Sequence, residues 1–193
     1  IRRPLLSLDA LSAARCYQAL GAAINREAGS GEEAIWEITG LAGEPRVPDN
    51  VLDVGNSGTT MNFALGTASL LPAGAGRVVL TDDEQIRRRP SGPLVASLND
   101  LGAWAASTRN CDLPPFVVAG RLRGGRTRMQ AASSQYLSSL LACCPFAPGE
   151  STIEITLLNE KPYVEMTLAW LDRLGLTYEN DAFRAIRVPG GKR

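Results

Sequence analysis

Two places in the chain put small hydrogen-bond donors directly ahead of an apolar run. The first is GNSGTTM, residues 55–61, which leads into NFALGTASLL; the second is AASSQYL, residues 131–137. A helix start carries unpaired N–H groups and the positive end of the peptide dipoles, so it draws anions. Glycine lets backbone approach a ligand closely, and Asn56, Ser57, Thr59 and Thr60 add donors around Gly58. A plain N-cap with a tight turn explains the same residues without any ligand. The G-K-[ST] ending of a nucleotide-binding P-loop is absent. Ser133, Ser134 and Gln135 repeat the pattern, and a cap accounts for them singly. Two such starts in comparable positions point to a shared polar cleft.

Arg87, Arg88 and Arg89 precede Pro90, at the head of a further expected helix. Cations oppose the dipole there. An arginine kept in that place suits a carboxylate or phosphate, which its planar fork grips with two hydrogen bonds. Arg87 and Arg88 read as a solvated loop. Lys161 and Tyr163, in EKPYVE, stand at the equivalent point further on. Arg121, Arg123, Arg126 and Arg128 alternate as a wet strand face does. Asp82, Asp83 and Glu84 lack regular metal-ligand spacing and read as turn residues.

The remaining composition narrows the chemistry. The chain has no histidine, which removes His-based triads, most zinc sites and the commonest base near neutral pH. Cys16, Cys111, Cys143 and Cys144 form no C-x-x-C pair and read as small buried hydrophobes of a reducing cytosol. No metal or cofactor is expected. Of 193 residues 45% are apolar, and 20 basic residues balance 20 acidic ones. That balance offers no whole-molecule attraction to nucleic acid or a membrane surface. No apolar run nears the roughly 20 residues that span a bilayer. No signal peptide is visible, and the chain does not begin with Met. A cytoplasmic globular protein is the expectation.

The elements that position these residues repeat. Leu-Gly recurs at 20–21, 101–102 and 174–175, each time closing a run with apolar residues at three- and four-residue spacing. Glycine there suits a left-handed C-cap. RVVLTDDEQIRRRPSGPLVASLNDLGA lies over TIEITLLNEKPYVEMTLAWLDRLGL: strand, polar loop, basic residue, proline, amphipathic helix. Pro90 and Pro162 suit a first helical turn. Two mostly apolar helices are expected from Ser57 to about Leu71 and from Ser133 to about Cys144. The whole reads as α/β (α+β), about three β-α-β-α-β-type units with buried helices and mixed sheets in one domain. The units fall roughly at 1–45, 46–120 and 121–193.

GNSGTTM, RRRPSGPLVASLNDLGA, ASSQYLSSLL and KPYVEMTL, in this order and spacing, resemble the enolpyruvyl transferases. Ser-Ser-Gln and Lys-Pro-Tyr are shikimate-side features, and the members acting on UDP-N-acetylglucosamine match less well. The resemblance covers nearly the whole chain and implies one half of a two-domain enzyme, each half an inside-out α/β domain of three β-α-β-α-β-β units. The two halves close over shikimate 3-phosphate and phosphoenolpyruvate. It implies that Ser133 and Ser134 take the shikimate phosphate, that Gln135 meets both substrates and that Tyr163 walls the shikimate. Gly58 and Arg89 would take phosphoenolpyruvate. Asn56, Thr59, Lys161 and Glu160 are further candidates.

Several positions depart from the family. Its opening Lys-Ser-x-Ser-x-Arg segment has no counterpart, Glu160 replaces a serine, Asn62 replaces an arginine, and Gln85 stands where one class has arginine. Glu160 would repel a phosphate if it pointed inward. The catalytic Asp, Glu and Lys belong to the second domain, so no catalytic residue is expected in this chain and the isolated chain is expected to be inactive. A non-catalytic anion-binding or scaffold domain, or a transferase for a different acceptor, fits the departures as an alternative.

Overall fold

A computed structural model describes residues 1–27 and 34–192. Ser7 opens the first helix, its Oγ accepting from the Ala10 N–H at 3.2 Å, and α1 runs Leu8–Ala19. Strands β1 (Ala23–Glu27) and β2 (Ile35–Thr39) follow as an antiparallel pair.

The next stretch supplies β3 (Leu52–Asp53), α2 (Gly58–Ala68), β4 (Arg77–Thr81), α3 (Gly92–Asp100), β5 (Trp104–Ser107) and β6 (Phe116–Ala119). Its sheet has the order β3-β4-β6-β5, with β3 and β4 parallel and the other neighbours antiparallel. The last stretch supplies β7 (Gly125–Ala131), α4 (Ser134–Cys143), β8 (Ser151–Leu158), α5 (Lys161–Arg173), β9 (Glu179–Asp181) and β10 (Ala185–Val188). Its sheet, β7-β8-β10-β9, has the same order and the same parallel first pair. The α/β class with mixed sheets is therefore the architecture of the chain.

Helix burial follows from composition. α2 and α4 are apolar or small nearly all round, and nearly every residue of each is buried. Gly66 lets them touch: a Cβ added there would meet Ser139 Oγ at 2.3 Å and Cys143 Sγ at 3.0 Å. The amphipathic α3 and α5 bury one face each, Leu94, Ser97 and Leu98 in one and Val164, Leu168 and Leu171 in the other. Met61, Leu65, Leu137 and Leu140 share a single apolar core with Phe116 and Ile186. The Leu-Gly pairs close α1, α3 and α5, with φ of +116° at Gly21, +96° at Gly102 and +65° at Gly175.

Four expectations need correction. Pro90 lies outside the helix; Pro93 occupies the first turn of α3, because Ser91 is the N-cap. The three arginines do not head a helix either. Arg87 and Arg88 sit in a 3-10 turn, Ile86–Arg88, and Arg89 follows it in extended backbone. α2 stops at Ala68, short of Leu71, where the ladder tightens to bonds from Leu70 N to Thr67 O and from Leu71 N to Ala68 O. Cys111 is exposed, whereas Cys16, Cys143 and Cys144 are buried. Burial pushes the Cys144 thiol up to about 11 and the Cys143 thiol higher still.

Candidate functional site

Both donor-rich stretches become helix starts. Ser57 is the N-cap of α2: its Oγ accepts from Thr60 N–H at 3.2 Å and donates to Thr60 Oγ1 at 2.8 Å. Ser133 is the N-cap of α4, accepting from Gln135 N–H at 3.4 Å. The contact between α2 and α4 brings these two starts side by side.

Gln135 joins them. Its Nε2 donates to Thr59 Oγ1 at 2.9 Å, and its Oε1 accepts from Asn62 Nδ2 at 2.9 Å. Asn62 is only 6% exposed and every polar atom of its side chain is used. Nδ2 also donates to Gly58 O at 3.0 Å, and Oδ1 accepts from Ser91 Oγ at 2.8 Å. Asn62 O accepts from Ser139 Oγ at 2.8 Å. The residue that departs from the family's arginine is thus a neutral crosslink between α2, α4 and the segment before α3. A neutral amide suits this buried place, since an unpaired buried charge costs far more than a paired amide. Tyr136 ties down the same segment by donating to Pro90 O at 2.6 Å, and burial first, then the Asp112 charge, pushes its phenol up.

Arg89 comes to Gly58. A Cβ added at Gly58 would stand 3.5 Å from Arg89 Nη1 and 3.8 Å from Ile86 Cδ1, ordinary contact distances. Arg87 and Arg88 are committed elsewhere: Arg87 Nε lies 3.3 Å from Asp82 Oδ1, and Arg88 pairs with Glu84. Among the described residues Arg89 makes no ion pair. Asp83 builds the turn that carries these arginines. Its Oδ1 accepts from Gln85 N–H at 3.0 Å and Ile86 N–H at 2.9 Å. The Ile86 N–H first of all, helped by Asn56 and the Gln85 N–H, holds its carboxyl below the usual range. Asn56 donates to Asp83 Oδ2 and to Gln85 Oε1, each at 2.6 Å. Asp82 is no turn residue: it is buried, its carboxylate has no partner beyond the Arg87 ion pair, and burial pushes its pKa up despite Arg87.

A cleft of about 440 Å³ opens beside the two starts, lined by Thr59, Ser134, Gln135, Glu160 and Tyr163 together with Phe63, Ser138, Met166 and Thr167. Sequence reasoning missed these last four. Helical spacing carried the signal for two, since Ser138 follows Ser134 and Thr167 follows Tyr163 by one turn; the pair is bonded, Oγ to Oγ1, at 2.7 Å. Glu160 points inward. Its Oε2 accepts from Ser134 Oγ at 2.9 Å and from Ser134 N–H at 3.3 Å. Lys161 turns away, 3.4 Å from Glu165 and 4.6 Å from the Phe183 ring centre. So Thr59, Ser134, Gln135, Glu160 and Tyr163 meet in one cleft, Gly58 precedes Thr59 with Arg89 beside it, Ser133 caps α4, Asn56 braces the arginine turn, and Lys161 pairs with Glu165 instead. Among the described residues no metal-binding cluster occurs and no helix is long and apolar enough to cross a membrane.

Residues 1–193 match the family model described as EPSP synthase (3-phosphoshikimate 1-carboxyvinyltransferase). Two curated relatives named 3-phosphoshikimate 1-carboxyvinyltransferase are similar along the whole chain. The one from Acetivibrio thermocellus is 48% identical over 193 residues, and the one from Ruminiclostridium cellulolyticum 43% identical over 194. The chain spans 44% of the length of each. A solved EPSP synthase from Acinetobacter baumannii superposes on 98% of the chain with a TM-score of 0.80 at 25% identity, and the match covers 40% of that protein. With the family matched from the first residue to the last, the chain belongs to the EPSP synthase (3-phosphoshikimate 1-carboxyvinyltransferase) family.

Proposed function

We propose that residues 1–193 form one domain, with units at roughly 1–45, 46–120 and 121–193, that binds shikimate 3-phosphate and phosphoenolpyruvate for transfer of the enolpyruvyl group to the shikimate 5-hydroxyl. The observation that carries this reading is the coupling of two anion-suited helix starts through Gln135, with Arg89 over Gly58. Ser133 and Ser134 bind the shikimate phosphate, Tyr163 stands beside the carbocycle, and Gln135 lies between the two substrates. Gly58 and Arg89 hold phosphoenolpyruvate, Arg89 by its guanidinium fork, while Asn56 and Thr59 place that arginine and Gln135. Lys161, paired with Glu165, serves α5 rather than a substrate.

This half orients the acceptor hydroxyl. A second domain of the same enzyme supplies the acid and base for the methylene carbon of phosphoenolpyruvate, and closure of the two halves excludes water. The reaction belongs to a cytoplasmic pathway and needs no nucleic acid, membrane or cofactor. Supporting this assignment are the family match over the whole chain and the share of its relatives' length that the chain spans.

The test is phosphate release from phosphoenolpyruvate plus shikimate 3-phosphate, with and without a supplied second half. Turnover only in the mixture is expected; turnover by this chain alone contradicts the division of labour. A non-catalytic scaffold is favoured by one observation, the Glu160 carboxylate on Ser134. Calorimetry separates the two. Heat that disappears on combining Ser134→Ala with Arg89→Ala supports the substrate domain, and no heat at millimolar shikimate 3-phosphate supports the scaffold.

A further inference from the structure

The start of α4 already holds an anion, and the chain itself provides it. Glu160 is the N-cap residue of α5, yet it makes no side-chain cap bond to its own helix. Its backbone adopts φ 55° and ψ 41°, a left-handed conformation that residues with a Cβ rarely take. From there the carboxylate crosses to the neighbouring helix and takes both donors of Ser134, the hydroxyl and the N–H. Ser134 is 2% exposed, so its donors face the cleft side occupied by Glu160 rather than open water. The rest of the cleft offers neutral groups, Thr59, Gln135, Ser138, Tyr163 and Thr167. The nearest cation on the same segment, Lys161, is held by Glu165 and the Phe183 ring, so it does not neutralise Glu160.

We propose that Glu160 is an internal competitor for the acceptor phosphate and sets the affinity of this site. The proposal rests on the reading that the α4 start receives the phosphate of shikimate 3-phosphate. Entry of the phosphate displaces the Glu160 carboxylate from Ser134. The exposed Glu160 side chain then swings to solvent, and the two Ser134 donors pass to phosphate oxygens. Until it swings away, the carboxylate repels a second anion at hydrogen-bond distance. Phosphoenolpyruvate, at Gly58 and Arg89, does not compete with it.

The test is calorimetry of the 193-residue chain with shikimate 3-phosphate, comparing the parent with Glu160→Gly, Glu160→Gln and Ser134→Ala. Glycine accepts the left-handed backbone while removing the carboxylate, so the chain still folds, and Glu160→Gln, which keeps the strain, separates charge from strain. Glutamine keeps the shape and one acceptor but not the charge. The expected result is affinity raised tenfold or more in Glu160→Gly and several-fold in Glu160→Gln, with the gain lost when Ser134→Ala is added. Equal or weaker binding by both Glu160 variants, with the parent's binding still dependent on Ser134, overturns the competitor and leaves the phosphate site standing. Binding indifferent to Ser134 in every background, or no binding by any of them, overturns the phosphate site and the competitor together.

Discussion

The starts of α2 and α4 are built from the same kinds of residue, lie side by side and share one glutamine, yet they are finished differently. At α2 the approach is bare: Gly58 has no Cβ, and the guanidinium beside it, Arg89, has no carboxylate partner among the described residues. At α4 the approach is closed: Glu160 takes both donors of Ser134. The difference teaches that a helix start is not a site by composition alone. What stands in front of it, cation or carboxylate, decides whether it is left to a ligand or satisfied from within.

The pair is a unit because of Asn62, and removing it is expected to have the largest effect. Asn62→Ala strips hydrogen bonds from Gly58 O, Gln135 and Ser91 inside the core. A loss of about 3 kcal/mol in urea unfolding is expected, with weakened binding at both starts. Loss at one start alone would show that the two are independent. Next comes Arg89→Ala, which lowers phosphoenolpyruvate affinity tenfold or more, about 1.4 kcal/mol. It leaves the unfolding midpoint unchanged and leaves shikimate 3-phosphate affinity within twofold in calorimetry. Arg88→Ala, which removes only an exposed pair, changes neither.

Gly58→Ala is a finer probe. Its new methyl meets Arg89 Nη1 and Ile86 at ordinary contact distances, so the fold accommodates it. Any loss of phosphoenolpyruvate affinity, a few-fold by our account, then reports a ligand that needed the space. The corresponding change at the closed start, Ser134→Ala, spares phosphoenolpyruvate.

The smallest effect concerns pH. The Asp83 carboxyl is held below its usual range by the Ile86 N–H first of all. The stability it adds is present above about pH 4, the ordinary carboxyl value, and is lost as pH falls through the depressed folded value. Asp83→Asn therefore flattens the acid limb of the melting temperature and slightly loosens the turn carrying Arg89.

Local chemistry explains which of these features were legible in the sequence. The Leu-Gly ends, the Ser57 and Ser133 caps and the two buried helices depend on residues a few positions apart, and all are present. The two matching helix starts pointed to a shared cleft, the family resemblance added Tyr163, and Ser134, Gln135, Tyr163 and Thr59 line one cleft. What escaped depends on direction. Nothing in EKPYVE says that Glu160 turns toward α4 while Lys161 turns toward Phe183. Nor does RRRP say which guanidinium is left over, because Arg87 is engaged by Asp82, which is buried just past the end of β4. Asn62 looked like a lost charge; three-dimensional packing makes it a crosslink that a charge would disrupt.

The most direct measurement is a backbone amide NMR titration of this chain with each substrate in turn. The account predicts that shikimate 3-phosphate moves Ser134, Gln135 and Tyr163, that phosphoenolpyruvate moves Gly58, Thr59 and Arg89, and that Gln135 responds to both. Shifts scattered away from the two helix starts, or one start answering to both ligands while the other stays silent, would contradict it.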